Sequence, residues 1–171
     1  SLISWRMKKR IHQIELFLKF PNEVQKDCLT GLLDKAKNTE WGRKYNFGEI
    51  SSYNQFKERV PLQNYESIKK DVFRAKKGVK NIMWPSDIRW FAKSSGTTED
   101  KSKFIPVSEE SLFDCHYKGG KDMLSIFCNW SPETQVFTGK TMTMGGSSQM
   151  NPNIKGALIG DLSAILISNL P

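Results

Sequence analysis

Four hydroxyls crowd a single glycine in Ser94-Ser95-Gly96-Thr97-Thr98, and Lys101 and Lys103 follow closely. Phosphate oxygens need many hydrogen-bond donors at short range, which hydroxyls and the backbone N–H groups of a turn supply. Gly96 lets the backbone approach because no Cβ intervenes. Lysine adds a compact point charge suited to the highly charged end of a nucleotide. The segment is not a Walker A loop, which needs a second glycine followed by Lys-Ser/Thr and then a helix. Here one glycine is present and a strand is expected next. A Ser/Thr-rich surface turn has the same composition, so residue types alone leave both readings open.

Other chemistry is sparse. Cys28, Cys115 and Cys128 never form a C-x-x-C pair, and His12 and His116 are the only histidines. Neither a disulfide framework nor a zinc site is expected, and no metal ligand set is assigned. Gly119-Gly120 falls within an expected helix, where two glycines cost roughly 2 kcal/mol against alanine. Close helix-to-strand packing or an earlier helix end would account for them. His116 reads first as a half-buried structural histidine beside Tyr117. Thr141 to Ser148, mixing Met with Gly and Ser, is a further candidate pocket wall.

The 171 residues carry a formal net charge of +8. The excess lies in residues 1–80, which hold 18 basic and 9 acidic side chains, net +9. That asymmetry fits an anionic partner or solvated helix faces. Lys8-Lys9-Arg10 and Lys76-Lys77-Gly78-Val79-Lys80, with Trp84, give an alternative reading: a basic interaction module for RNA or an anionic surface, without catalysis. No nucleic-acid motif accompanies them, and Glu66 and Asp71 dilute the patch, so no nucleic acid is expected. No stretch approaches the ~18 apolar residues of a membrane span. No secretory leader is legible, so a cytoplasmic protein with no membrane partner is expected.

The elements that must position the loop follow from periodicity. Ile3, Met7, Ile11, Ile14 and Leu18 recur at helical spacing, and Pro21 separates this segment from a second helix burying Val24, Cys28, Leu29, Leu32, Leu33 and Ala36. Ser52 and Gln55 form an expected capping box. Asn64 caps a helix over Tyr65 to Lys77 that stops at Gly78. Strands are predicted over Ile82 to Pro85, Ile88 to Ala92, Phe104 to Val107, Val136 to Thr138 and Thr141 to Met144. A helix runs from about Glu109 to Cys128 after the Ser108 cap, and Gly145 to Ser148 is a loop. The expected class is α/β: a helical part, 1–80, then a strand-rich part, 81–171, with the loop, both within one incomplete domain. The apolar run Ala164 to Ile167 so near Pro171 fits part of a larger protein.

Ser94 to Thr98, a short spacer and Lys103-Phe104-Ile105-Pro106 together resemble the phosphate-binding motif of acyl-adenylate-forming enzymes. The version is most similar to that of the Gretchen Hagen (auxin-responsive) family of acyl-acid amido synthetases. Thr39-Glu40-Trp41-Gly42, Phe56 to Leu62, Tyr65-Glu66, Gly78 and Trp90-Phe91-Ala92-Lys93 extend the resemblance, which is less distinct after about residue 130. The chain looks like a bacterial-type member cut after the first part of the large N-terminal domain.

The resemblance implies a two-step ligase. A carboxylate attacks the α-phosphate of ATP with Mg²⁺, pyrophosphate leaves, and an amine such as an amino acid takes the acyl group. It implies that Ser94, Ser95, Thr97 and Thr98 hold the β- and γ-phosphates, that Gly96 gives clearance and that Lys103 offsets the departing charge. It also implies that the helix bearing His116, Gly119 and Gly120 borders an acyl pocket. The partners expected are a small carboxylic acid, an amino-acid acceptor and the remainder of the chain, without which this fragment is expected to be inactive. Glu99-Asp100 replaces two small residues common in the family, and two acids beside a triphosphate repel it unless Mg²⁺ or Lys101 compensates.

Overall fold

The computed structural model describes residues 2–94 and 102–170, with the side chains of 2–6 and 8 outside that description. Helices α1 (Leu2–Lys19), α2 (Pro21–Ala36), α3 (Glu40–Lys44), α4 (Tyr53–Arg59) and α5 (Tyr65–Lys76) come first. Strands β1 (Trp90–Lys93) and β2 (Phe104–Val107), α6 (Lys118–Trp130), β3 (Ser148–Met150), β4 (Leu158–Gly160) and α7 (Leu162–Ser168) follow. Two compact units result, Ser1–Asp27 with Glu110–Met142, and Cys28–Glu109 with Thr143–Pro171. They follow packing rather than the change of composition near residue 80.

In the first unit, α1 pairs with α6. Met7, Ile11 and Ile14 are half-buried as their spacing requires. Ile3 lies outside the described side chains, and Leu18, expected on the same face, is 81% exposed. The buried Arg10 grips Asp122, with Nη2 donating to Oδ2 at 2.8 Å, and lies over the Phe17 ring. Ser125 is buried beside them and donates to the Lys121 carbonyl at 2.7 Å. The helix after Ser108 starts where expected, but Ser111–Tyr117 winds as a π-helix before α6, which ends at Trp130 rather than Cys128.

In α2, Leu33 and Ala36 are buried and Val24 and Leu29 half-buried. Cys28 and Leu32 are exposed, against expectation. Each stands one residue, about 100°, away from Leu29 or Leu33, so the buried stripe is narrower than the apolar pattern. Thr39 then joins α2 to α3. Its fully buried hydroxyl donates to the Ala36 carbonyl at 2.7 Å and accepts from Gly42 N–H at 2.9 Å, capping α3. Gly42 is required there, because a Cβ would stand 2.1 Å from the Ala36 oxygen.

Asn64 caps α5 as expected, and Ser67 completes a capping box by accepting from Asn64 N–H at 3.1 Å. At Ser52 the expected box is only half made. Ser52 Oγ accepts from Gln55 N–H, but the Gln55 side chain accepts from Ser51 N–H at 2.8 Å instead of reaching Ser52. Helix α5 ends before Gly78, whose φ of +91° suits glycine.

The sheet has the order β2-β1-β4-β3, with β1 antiparallel to β2 and parallel to β4, and β3 antiparallel to β4. The predicted strand at Phe104 to Val107 forms at those bounds. Of Ile88 to Ala92, only the end enters β1. Ile82 to Pro85 does not form a strand: the Asn81 and Ile82 carbonyls accept from the first amides of α3, Glu40 and Trp41, each at 3.0 Å. Those acceptors satisfy helix donors that would otherwise be orphaned, and so are lost to any sheet ladder. Val136 to Thr138 is a turn, and Thr141 to Met144 is irregular and exposed. Ser148, placed in a loop by the sequence, begins β3.

Phe91, Ala75, Ile82 and Ile159 form the core beneath this sheet, with Trp41, Phe104 and Ile154 packed against it. Phe91 and Ala75 bring β1 against α5. Asn151, buried in the β3–β4 connection, donates to the Lys76 carbonyl at 3.1 Å and so ties that connection to the end of α5.

Candidate functional site

Strands β1 and β2 form a hairpin in register Trp90↔Val107 through Lys93↔Phe104, so the hydroxyl-rich segment is the connection between them. Beyond Lys93 and Phe104 the ladder is closed by Ser94 and Lys103. Ser94 N–H donates to the Lys103 carbonyl at 2.9 Å, and Lys103 N–H donates to Ser94 Oγ at 3.2 Å. Ser94 Oγ accepts in that bond, and its O–H remains a donor. Ser95, Gly96, Thr97, Thr98, Glu99, Asp100 and Lys101 lie outside the described residues.

The root of the hairpin is held by α5. Tyr65, in its first turn, accepts from Phe104 N–H at 2.9 Å through its hydroxyl. The Lys103 ammonium lies 5.8 Å from the Tyr65 ring centroid, within cation–π range. At the other end of α5, Lys76 places its ammonium 3.5 Å above the Phe104 ring, which meets Phe73 edge-on. Burial lowers the Lys76 pKa from its ordinary value, and the nearby positive charge of Lys93 lowers it further.

Helix α5 is itself fixed by the Thr39 to Gly42 stretch. Trp41 Nε1 donates to Asp71 at 2.8 Å, and Arg74 donates to both Glu40 oxygens at 2.7 Å and to Asp71 at 3.1 Å. Arg74 holds the Glu40 carboxyl below its usual range, by hydrogen bonding first and by charge second. These residues, part of the family resemblance, thus act on the scaffold and reach the hairpin through α5.

Much of the basic half is neutralised locally. Lys69 pairs with Glu66, Lys80 with Asp87, Lys37 with Asp34 and Arg59 with Glu49. No observation favours the basic interaction module over the hairpin.

His116, Gly119 and Gly120 lie in the unit built on α1 and α6. His116 is half-buried in the π-helical turn, where Phe113 and Tyr117 stack edge-on and burial raises the Tyr117 pKa. A Cβ at Gly119 or Gly120 would meet no atom within 4 Å. Both positions are open rather than closely packed, and the helix continues through them to Trp130. Gly146 and Ser147, in the other proposed pocket wall, instead donate to Ser163 and Asp161 at 2.9 Å and brace the start of α7. Among the described residues no group of three or more His, Cys, Asp or Glu is arranged to hold a metal ion. No described helix is long and apolar enough to cross a membrane.

Sequence reasoning named Tyr65 only as a helix start and as part of the family resemblance, and passed over both its hold on the hairpin root and the juxtaposition of Lys76 with Lys93. Lys76 stood out only as one of a basic run; its place above Phe104 depends on strand register and helix packing that no local pattern encodes.

A hairpin held at its root by a helix beneath a mixed sheet is thus the frame from which the hydroxyl-rich segment departs. Residues 10–170 match the model of the GH3 family N-terminal domain, and the chain belongs to that family. It is 30% identical over 105 residues to indole-3-acetic acid-amido synthetase GH3.4 of Arabidopsis thaliana, covering 61% of this chain and 18% of that protein. It is 26% identical over 103 residues to jasmonoyl–L-amino acid synthetase JAR4 of Nicotiana attenuata, covering 60% and 18%. The fold matches the solved GH3.15 acyl acid amido synthetase with a TM-score of 0.78 at 19% identity, over 95% of this chain and 29% of that one. The chain thus spans about a fifth of the length of these curated relatives.

Proposed function

We propose that this chain supplies the nucleotide-phosphate site of an ATP-dependent acyl-acid amido synthetase. The observation that carries the reading is the hairpin root, Ser94 bonded to Lys103 at both backbone and side chain, from which the hydroxyl-rich segment departs in a member of this family. A carboxylate oxygen attacks the α-phosphorus of ATP, the bond to the bridging oxygen breaks, and pyrophosphate leaves. An amino-acid amine then attacks the acyl carbon, losing a proton and releasing AMP. The first nucleophile is already ionised, so positioning and charge stabilisation of the leaving group dominate over base catalysis.

In this scheme Ser94, Ser95, Thr97 and Thr98 donate to the β- and γ-phosphates and Gly96 gives the backbone clearance. Lys103, at the hairpin root, offsets the charge that leaves with pyrophosphate. Mg²⁺ would accompany the nucleotide as its counter-ion, and no residue of this chain is assigned to it. The substrates are a small carboxylic acid and an amino acid, and the open side of Gly119 and Gly120, near His116, is assigned to the acyl group. A cytoplasmic setting suits ATP chemistry.

The test is pyrophosphate release by the full-length protein over a panel of carboxylic acids, with and without amino acids, in the parent and in Ser95→Ala and Lys103→Ala. Losses of about a hundredfold are expected, the scale of removing one stabilising donor from a charge-developing site. Undiminished turnover in both variants overturns the assignment.

A further inference from the structure

Three lysines surround the hairpin root, and none of them makes an ion pair among the described residues. Lys103 lies near the Tyr65 ring, Lys76 lies over Phe104 and 5.8 Å from the Phe73 centroid, and Lys93 stands opposite Phe104 in the ladder. Directly opposed residues project from the same face of a sheet with Cβ atoms about 5 Å apart. Lys93 therefore shares a face with Phe104 and with Phe91, the buried residue two positions before it, and that face packs on α5.

Lys76 and Lys93 are thus both placed beside the root of the hairpin, Lys76 backed by an aromatic ring, and neither is neutralised by a carboxylate among the described residues. Elsewhere this chain brings acids to its bases, as at Arg74, Lys69 and Lys80. Like charges held together at a cost need something to offset them, and an anion with several oxygens does so.

We infer that Lys76 and Lys93 form a second phosphate clamp, binding the two terminal phosphates of the nucleotide that depart as pyrophosphate. Lys76 comes from the helix and Lys93 from the strand, so the clamp also ties the ligand to the α5–β1 packing. An anion there relieves both influences that lower the Lys76 pKa, since it restores solvation and cancels the Lys93 charge. The inference rests on the nucleotide reading above but uses different residues.

The test is isothermal titration of the full-length protein with inorganic pyrophosphate and, separately, with ATP. Lys76→Gln and Lys93→Gln are compared with Lys93→Arg and with the double variant Ser95→Ala/Thr97→Ala. Each glutamine variant is expected to weaken both probes about tenfold, the effect of one charge-assisted contact, while Lys93→Arg stays close to the parent. Lys93 is exposed at a strand end, so its replacement leaves the fold intact, and thermal unfolding checks this. Parent-like binding in both glutamine variants, with loss in the serine–threonine variant, overturns the clamp and leaves the loop reading standing. Loss in the lysine variants alone supports the clamp and overturns the loop reading. A parent that binds neither probe overturns both, and loss for ATP without loss for pyrophosphate overturns the assignment to the terminal phosphates.

Discussion

Arg74 and Lys76 stand two residues apart on α5, and their surroundings are opposite. Arg74 meets Glu40 and Asp71, with Trp41 donating to the same Asp71, so that the guanidinium and both carboxylates at the α3–α5 junction have hydrogen-bond partners. Lys76 meets an aromatic ring and another lysine. The first arrangement completes itself and needs nothing from outside the chain. The second has no acidic partner among the described residues, and the clamp inferred above completes it with an anion. One helix therefore serves as a fixed mount on one side and as part of a receptive surface on the other.

If the junction is the mount, damage there must cost stability first. Gly42→Ala drives a Cβ into the Ala36 carbonyl at 2.1 Å, where the neighbour is backbone and cannot swing aside. A loss of about 3 kcal/mol is expected in urea unfolding, the upper part of the range for overpacking. A variant as stable as the parent would mean that α2 and α3 are not held at this distance.

Trp41→Phe keeps an aromatic ring, though a smaller one, and removes the indole N–H, leaving one Asp71 oxygen without that donor. A hydrogen bond to a charged group is worth about 2 kcal/mol. The same unfolding experiment should show a loss near that size. No loss would show that Arg74 alone satisfies Asp71.

These two positions also show what could be read in advance. Thr39 to Gly42 is visible in the sequence as a family resemblance, and the capping residues Asn64 and Gly78 announce both ends of α5. The hydroxyl cluster between two strands is equally legible, because turn chemistry and strand propensity are local. What was not legible depends on distant partners. Ile82 to Pro85 has strand composition, yet its carbonyls are taken by α3. Thr141 to Met144 has the composition, yet it lies exposed and irregular. Lys76 above Phe104 joins residues 28 positions apart through a register that the sequence does not spell out.

Glu40→Gln sharpens the comparison through pH. The Glu40 carboxyl is held below its ordinary range in the folded chain, so its stabilisation is present above the unfolded pKa and is lost as pH falls through the folded one. Acid titration of stability from about pH 5 downward should therefore be shallower in Glu40→Gln than in the parent. Equal slopes would mean that the Arg74 pairing contributes nothing to folding, as many exposed pairs do not.

The smallest effect is expected at Lys76→Gln, and its sign is the informative part. The variant loses a cation–π contact worth about 0.5–1 kcal/mol at an exposed site, but it also removes a partly buried charge facing Lys93. The two nearly cancel, so stability at neutral pH should change little, in contrast to the Gly42 and Trp41 variants. In the parent the folded pKa of Lys76 lies below the unfolded one, so between those two values the unfolded chain binds more protons. Stability contributed by this residue must then rise as pH increases through that alkaline window. The difference between parent and Lys76→Gln in unfolding free energy should show that rise, and bound pyrophosphate should abolish it by restoring the charged form. A flat difference without ligand would mean that Lys76 is as well solvated as any surface lysine, and the contrast with Arg74 would be lost.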